Sequence, residues 1–397
     1  MAQSRPPYPA MAEAFPSSVT ELAQALVRIP SVNPDGEPGT GKTGEADCAA
    51  YVARFLETAG AKAVLEEVLP GRPNVIGRFP SQPLASGGKK PVILFGPHTD
   101  TVGVGGMTID PFGGEVRDGK LWGRGACDTK GPMAAMLWAL WELRDEIPHL
   151  PVEVHFAGFM SEESSQFGSR HFAKHHGQDY AFAFIAEPTS LQTVFKHKGS
   201  LWADIETFGV AVHGSRPELG ENAILKMARL IKLLDGDFRQ QLKDASGQDE
   251  WLGQSTISLG MIQGGSRPNI TADHCCLTVD IRYTPGVAKL GGPMLLLEEF
   301  VKQHDATAVV NPRGREAASP CLDTSAEDPF VQALVRHGAA LTGAPWFCDA
   351  AYLAEVGVPA VAVGPGSIAQ AHTKDEWIEL VELERGAKFW MDYLRGL

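Results

Sequence analysis

The sequence predicts an α/β protein: a mixed, mostly parallel sheet flanked by helices, interrupted by an inserted α+β domain of ferredoxin-like order. Three observations carry this. Between residues 91 and 187 short β-branched or aromatic runs alternate with helical segments, the pattern of a parallel sheet. Near residue 200 the texture changes to strands of alternating polarity around an amphipathic helix. After about residue 315 the first texture returns. One α/β domain, residues 1–199 and 315–397, is therefore expected to be split by a second domain at 200–314.

Each element follows from local pattern. Leu22, Leu26 and Val27, then Ala49, Val52, Phe55 and Leu56, fall at helical spacing, so helices are expected over 18–30 and 45–59. Short strands follow at 63–68 and 74–78, and a turn-rich link leads to PVILFG at 91–96, a candidate central strand. A long glycine-rich loop ends at GRGACDTKG before a helix over 131–146. Strand VEVHFAGF, loop SEESSQFGS and helix RHFAKHHG repeat the unit, and AFAFIAE follows at 181–187. In the insert, SLWADIETFGV, the helix NAILKMARLIKLL, the strands STISLGMI and HCCLTVDIRY, a helix near 293–303 and ATAVVNP give the order β-α-β-β-α-β. Within HCCLTVDIRY, Cys275, Leu277, Val279, Ile281 and Tyr283 share one face, and Asp280 and Arg282 the other. Asp328-Pro329 makes an N-cap and first-turn pair for a helix to about 342, and VPAVAVG and a helix over 377–395 close the chain.

The 397 residues carry a formal charge of −13, which argues against nucleic acid or an anionic membrane as a bulk partner. Six cysteines, at 48, 127, 275, 276, 321 and 348, form no C-x-x-C pair, so reduced thiols in a cytoplasm are expected. The opening MAQSRPPYPAMAEAFPSS has no apolar core of a signal peptide. The most apolar window, PMAAMLWALWEL at 132–143, is too short to span a bilayer. A cytoplasmic protein with no membrane partner is the expectation.

In open α/β sheets, sites lie beyond the carboxyl ends of the strands. Polar residues gather at those positions: His98 and Asp100 in GPHTDT, Asp128 in GRGACDTKG, Glu162 and Glu163 in SEES, Glu187 in AEPTS, and His372 in AQAHTKDE. Each alone has a bland reading, such as a helix cap for Asp128. Together, at one sheet edge, they offer the nitrogen and oxygen ligands of a two-metal site with one shared carboxylate. On an extended segment His98 and Asp100 face the same way, so Asp100 is placed to receive the second ring N–H of His98. A metal also accounts for the adjacent pair Glu162-Glu163. One glutamate ligates the cation, and the other stays free as general base for a metal-bound water, whose pKa falls to about 7 on zinc.

At these residues the chain resembles the acetylornithine deacetylase, succinyl-diaminopimelate desuccinylase and carboxypeptidase G family of di-zinc amidohydrolases and peptidases. GPHTDTV, GRGACDTKG, SEES, AEPTS, VHGSRP, GGSRPN, DIRYTPG and GPGSIAQAHT follow the family's order along nearly the whole chain. The resemblance implies a zinc-peptidase-like catalytic domain and two Zn2+ per subunit, with Co2+ as a substitute. It implies that His98, Asp128 and Glu187 hold one metal, that Asp128, Glu163 and His372 hold the other, and that Glu162 is the base. It implies a homodimer through the insert, with His213 stabilising the oxyanion from the partner's side. Asn269 and Arg282 would line the substrate, Arg282 suiting a carboxylate by its planar fork, and Gly366 in GPGS would offer backbone N–H groups.

EPTSLQ followed by HKG, the doubled cysteine before DIR, and GPGS-x-AQAH look most like acetylornithine deacetylase. That implies hydrolysis of N-acetyl-L-ornithine, a step of arginine biosynthesis. There are departures. Pro97 replaces the usual small residue before His, and TVGVGGM follows Asp100 in place of the common start. Ala351 stands where desuccinylase-like members often carry arginine, and the acidic residue usual for acetylornithine deacetylases in that segment is shifted or absent. Succinyl-diaminopimelate, dipeptides and other N-acyl amino acids are the rival substrates. A one-metal peptidase, with Glu187 or His372 structural, and a catalytically silent scaffold are the rival classes.

Overall fold

The computed structural model describes residues 15–84, 87–313 and 318–397. Most of the opening stretch read for a signal peptide, and the expected boundary at 314/315, lie outside the described residues. The chain forms two compact units: residues 1–195, 324–342 and 348–397, and residues 196–323 with 343–347.

The first unit opens with α1 (Val19–Arg28) and α2 (Ala46–Thr58), each burying the apolar stripe read from its spacing. The Ser18 hydroxyl accepts from the Glu21 N–H and caps α1. Next come β1 (Lys62–Leu69), β2 (Arg72–Arg78) and β3 (Val92–Gly96). The helix α3 (Lys130–Glu142) is apolar nearly all round and buried nearly all round. Then follow β4 (Glu153–Gly158), α4 (Phe167–His176), β5 (Phe182–Ile185) and β6 (Thr193–His197).

β4, β3, β5 and the late strand at Ala360–Ala362 run parallel in that order and form the centre of the sheet. β3, β5 and Ala360–Ala362 are buried throughout, as strands covered on both faces must be. β1 and β2 pair antiparallel at one border, and β6 pairs antiparallel at the other. The mixed, mostly parallel sheet is thus parallel at its heart and antiparallel at its rims. The closing helix, Leu380–Arg395, packs on α3. Its Trp390 ring stands edge-on to Phe95 at 4.9 Å and to Phe184 at 5.4 Å, and Tyr393 meets Phe184 at 5.2 Å.

The second unit contains β7 (Gly199–Phe208), α5 (Ala223–Leu233), β8 (Thr256–Gly264), β9 (His274–Tyr283), α6 (Gly292–His304) and β10 (Val309–Pro312). Its sheet order, β8-β9-β7-β10, is antiparallel throughout and is that of a ferredoxin-like domain. β9 alternates as its sequence requires, with Cys275, Leu277, Val279, Ile281 and Tyr283 buried.

Expected helix ends differ in several places: α3, expected over 131–146, stops at Glu142, and α4 begins at Phe167, inside the segment read as loop SEESSQFGS. The helix begun at Pro329 ends at Arg336, not near 342. Gly338 takes a left-handed φ of +91°, and the Ala339 N–H turns back to the Leu334 carbonyl, a C-terminal stop that alternating apolar residues do not reveal. The closing helix starts at Leu380 because Trp377–Glu379 is a strand paired with Lys120–Trp122. Among the described residues no helix is long and apolar enough to cross a membrane.

His155, in β4, carries a testable pH effect. Burial, with Arg78 beside it, pushes its pKa down to about 4, and its Nδ1 lies 3.1 Å from the Tyr180 hydroxyl. The unfolded chain titrates this group near 6.5. Because the folded pKa is depressed, stability is full above about 6.5 and is lost as pH falls toward about 4. At about 1.4 kcal/mol per unit, the loss is at most about 3.5 kcal/mol. H155Q is expected to lose less melting temperature than the wild type between pH 7 and pH 4.5. Equal losses would remove His155 as the cause.

Candidate metal centre

The parallel strands carry the polar residues to one edge. His98 lies two residues past β3, Glu162 and Glu163 follow β4, and Glu187 lies two past β5. Asp128 stands two residues before α3, and His372 lies in the loop after Ala360–Ala362. Asp128 and His372, 244 residues apart in sequence, thus meet.

Asp128 is the hub. Its Oδ1 lies 3.1 Å from His98 Nε2, and its Oδ2 lies 3.4 Å from His372 Nε2. His372 Nε2 is also 2.9 Å from Glu163 Oε2. Two groups of potential ligand atoms result, His98–Asp128–Glu187 and Asp128–Glu163–His372, each within 4.8 Å. Asp128 belongs to both, with one oxygen toward each histidine.

Asp100 is wholly buried. The nearest partner of His98 Nδ1 is the Asp100 backbone carbonyl, at 3.0 Å, and the carboxylate stands at 3.4 Å. The carboxylate is already engaged: it accepts from Asn33 Nδ2 at 2.8 Å, from the Glu162 N–H at 2.9 Å and from the Glu163 N–H at 3.1 Å. Asp100 therefore holds both the histidine and the backbone of the two glutamates. The loop they occupy needs that hold. Ser161 and Gln166 sit at φ +64° and +47°, unusual for residues with a Cβ, and the Ser161 N–H is bound by the buried Glu45.

The electrostatics follow from carboxylates crowded out of water. Burial raises Glu162 and Glu187 well above the carboxylate range and Glu163 to about 7. Burial also opposes charge on His98, yet the Asp100 and Asp128 carboxylates raise it well above the imidazole range. Bonds to Asp128 and Glu163 raise the exposed His372 to about 10. Asp128 is pulled down by both histidines, against its own burial. Cationic histidines thus offset negative charge that bound cations would offset.

A pair of divalent cations fits these residues. The donors are nitrogen and carboxylate oxygen, the ligand types of zinc and its neighbours. Glu163 Oε1 and Glu187 Oε1 are buried with no hydrogen-bond partner among the described residues, a costly state that a cation would relieve. Glu162 belongs to neither ligand group, and its backbone carbonyl accepts from Gln166 Nε2 at 2.8 Å.

The remaining residues are placed as follows. Gly366 takes φ +85°, and a Cβ there would come within 2.8 Å of Cys127 Sγ, so only glycine fits. Its carbonyl accepts from the Ser190 N–H at 2.6 Å. In the second unit His213 and Asn269 are exposed, with His213 Nδ1 2.8 Å from the Ser215 hydroxyl. Arg282 forms a forked pair with Asp280, Nε to Oδ1 at 2.9 Å and Nη2 to Oδ2 at 3.0 Å, and lies over the Phe347 ring.

Besides Glu45, two further buried carboxylates escaped the sequence reading. Asp349 accepts from the Ser169 hydroxyl, its Oδ2 has no hydrogen-bond partner among the described residues, and burial raises it to about 7. Glu376, four residues after His372, is fully buried and binds the loop that carries Asp128. The signal for both was present: Asp349 lies two residues before Ala351, in the segment compared above, and Glu376 closes AQAHTKDE, but neither follows a sheet strand directly.

Comparison with known proteins extends this geometry. Residues 94–396 match the family model described as peptidase family M20/M25/M40. An acetylornithine deacetylase from Proteus mirabilis (strain HI4320) is 31% identical over 375 residues, covering 92% of each chain. Among solved structures, an M20 family metallo-carboxypeptidase from Sulfolobus solfataricus superposes with a TM-score of 0.73 at 19% identity, over 96% of this chain and 99% of that one. A dinuclear metal binding peptidase of the M20 family from Bacillus subtilis gives 0.65 at 15% identity, over 95% and 96%. At such identities the two structures speak for the fold alone.

Proposed function

Because this chain belongs to peptidase family M20/M25/M40 and is a hydrolase, we propose that it hydrolyses the amide bond of an N-acyl amino acid, with N-acetyl-L-ornithine as the leading substrate. One observation carries the reading: two ligand groups share Asp128, and a further carboxylate, Glu162, stands outside both. His98, Asp128 and Glu187 would hold one divalent cation, and Asp128, Glu163 and His372 the other. Zinc suits the donor set, and cobalt can replace it. When bound, the cations polarise the scissile carbonyl and make water more acidic.

The chain's own residues supply the rest. Glu162 takes a proton from the attacking water and delivers it to the leaving amine nitrogen. Asp100 fixes Glu162 and Glu163 by their backbone N–H groups and orients His98. Gly366 would present backbone near the substrate. Arg282 and Asn269 would bind the substrate carboxylate, with Arg282 exchanging its Asp280 partner for the ligand. His213 would stabilise the oxyanion from a second subunit in a homodimer formed through the insert.

The ornithine assignment rests on the 31% identical relative and on EPTSLQ, HKG and GPGS-x-AQAH. It would place the protein in the cytoplasm and in arginine biosynthesis. The test is amine release from a panel of N-acetyl-L-ornithine, N-succinyl-diaminopimelate, other N-acetyl amino acids and dipeptides, with metal-loaded and chelated protein. Fast, chelator-sensitive release of ornithine is expected. Preference for another panel member would reassign the substrate, and activity that survives chelation would overturn the metal reading.

A further inference from the structure

We propose that Glu376 is a positioning residue that sets the Asp128 carboxylate for metal binding, by serving as the internal anion around which the Gly125–Asp128 backbone is folded. The inference rests on the metal-site reading above and adds a residue that is not among its ligands. Both oxygens of Glu376 are fully engaged. Oε1 accepts from the Cys127 N–H at 2.7 Å and the Asp128 N–H at 2.8 Å. Oε2 accepts from the Gly125 N–H at 3.0 Å and from Arg124 Nη1 at 2.9 Å. The Glu376 backbone carbonyl accepts from the Gly123 N–H at 3.0 Å. The side chain is completely buried, so these bonds do not compete with water.

Convergent backbone N–H groups of this kind form a nest for an anion. Here the anion is the protein's own carboxylate, and Arg124 balances its charge. Arg124 is in turn tied to the Gly103 carbonyl through Nε at 3.1 Å. The consequence concerns geometry at Asp128. With its N–H fixed on Glu376, its carboxylate is presented with one oxygen to His98 and the other to His372. Glu376 also follows His372 by four residues and leads into the strand Trp377–Glu379, which pairs with Lys120–Trp122 just before the Asp128 loop. One side chain therefore holds in register the two segments that bring Asp128 and His372 together. Because its acceptor positions are filled by N–H donors, Glu376 is not itself a ligand.

The test uses the full-length chain stripped of metal and titrated with cobalt(II) chloride, following cobalt absorption and competition with a chelator. E376Q is nearly isosteric, but its amide N–H2 faces two N–H donors, so at least one edge of the clamp opens. It is expected to retain the wild-type circular dichroism while cobalt affinity falls about 10–100-fold, the range seen when outer partners of metal ligands are lost. The cobalt spectrum should change as Asp128 shifts, and kcat should fall with KM little altered. E376D keeps the charge but withdraws it by one methylene; it is the second variant if E376Q does not fold, and a smaller loss of cobalt affinity is expected. Wild-type affinity and spectrum in either folded variant would overturn the proposal. Failure of the wild-type chain itself to bind two cobalt ions would instead refute the metal-site reading, so the two failures are distinct.

Discussion

E162Q is expected to lower kcat by about 10²–10⁴-fold, the range for a positioned general base, while the protein still binds metal at wild-type stoichiometry. The combination is the informative part. Glu162 lies outside both ligand groups, so removing its charge leaves the donors in place. Its backbone N–H stays on Asp100, so the loop keeps its shape. What disappears is the carboxylate proposed to take a proton from water and return it to the amine. Glutamine keeps the size of the side chain but holds no transferable proton of the required acidity. Elemental analysis beside steady-state kinetics makes the check. Wild-type turnover would sink the base assignment, and loss of metal would make Glu162 a ligand.

D128N is expected to abolish activity and to empty both metal positions, a larger effect than any other single ligand change. Asp128 alone belongs to both groups. An amide can offer one oxygen but not two, so one histidine loses its common partner. The contrast is E187Q, which touches only the group containing His98 and should leave one metal equivalent per chain. The cost at Asp128 should exceed the about 10–100-fold typical of outer partners, since a bridging ligand is lost directly. Metal content after dialysis decides the matter. Two equivalents retained by D128N would refute a shared carboxylate.

Much of this was legible beforehand because strand ends are legible. β3, β4 and β5 are short apolar runs whose termini are marked by polar residues, so His98, Glu162, Glu163 and Glu187 could be placed on one edge without coordinates. Asp128 and His372 were read at the same edge, although they sit in loops, Asp128 before α3 and His372 ten residues past Ala360–Ala362. β9 announced its buried face because alternation is a local property. The stop at Arg336 was missed because it depends on the left-handed turn at Gly338, and glycine has many roles in a chain. Glu376 was passed over for a different reason. Its meaning lies in four donors supplied by residues about 250 positions earlier, and no periodicity encodes that. The Arg282–Asp280 pair was foreseeable from two residues on one strand face, and it means that a substrate carboxylate would have to compete with Asp280.

The sheet's heart is completed from the far end of the chain: Ala360–Ala362 fills a central place beside β5, and Trp390 and Tyr393 close over Phe95 and Phe184. During synthesis on the ribosome, the first 195 residues therefore emerge with Phe95 and Phe184 lacking their cover, while the residues of the second unit, a self-contained ferredoxin-like order, are made in between. The nascent first unit must wait, with apolar surface open to chaperones, until the last helix leaves the exit tunnel.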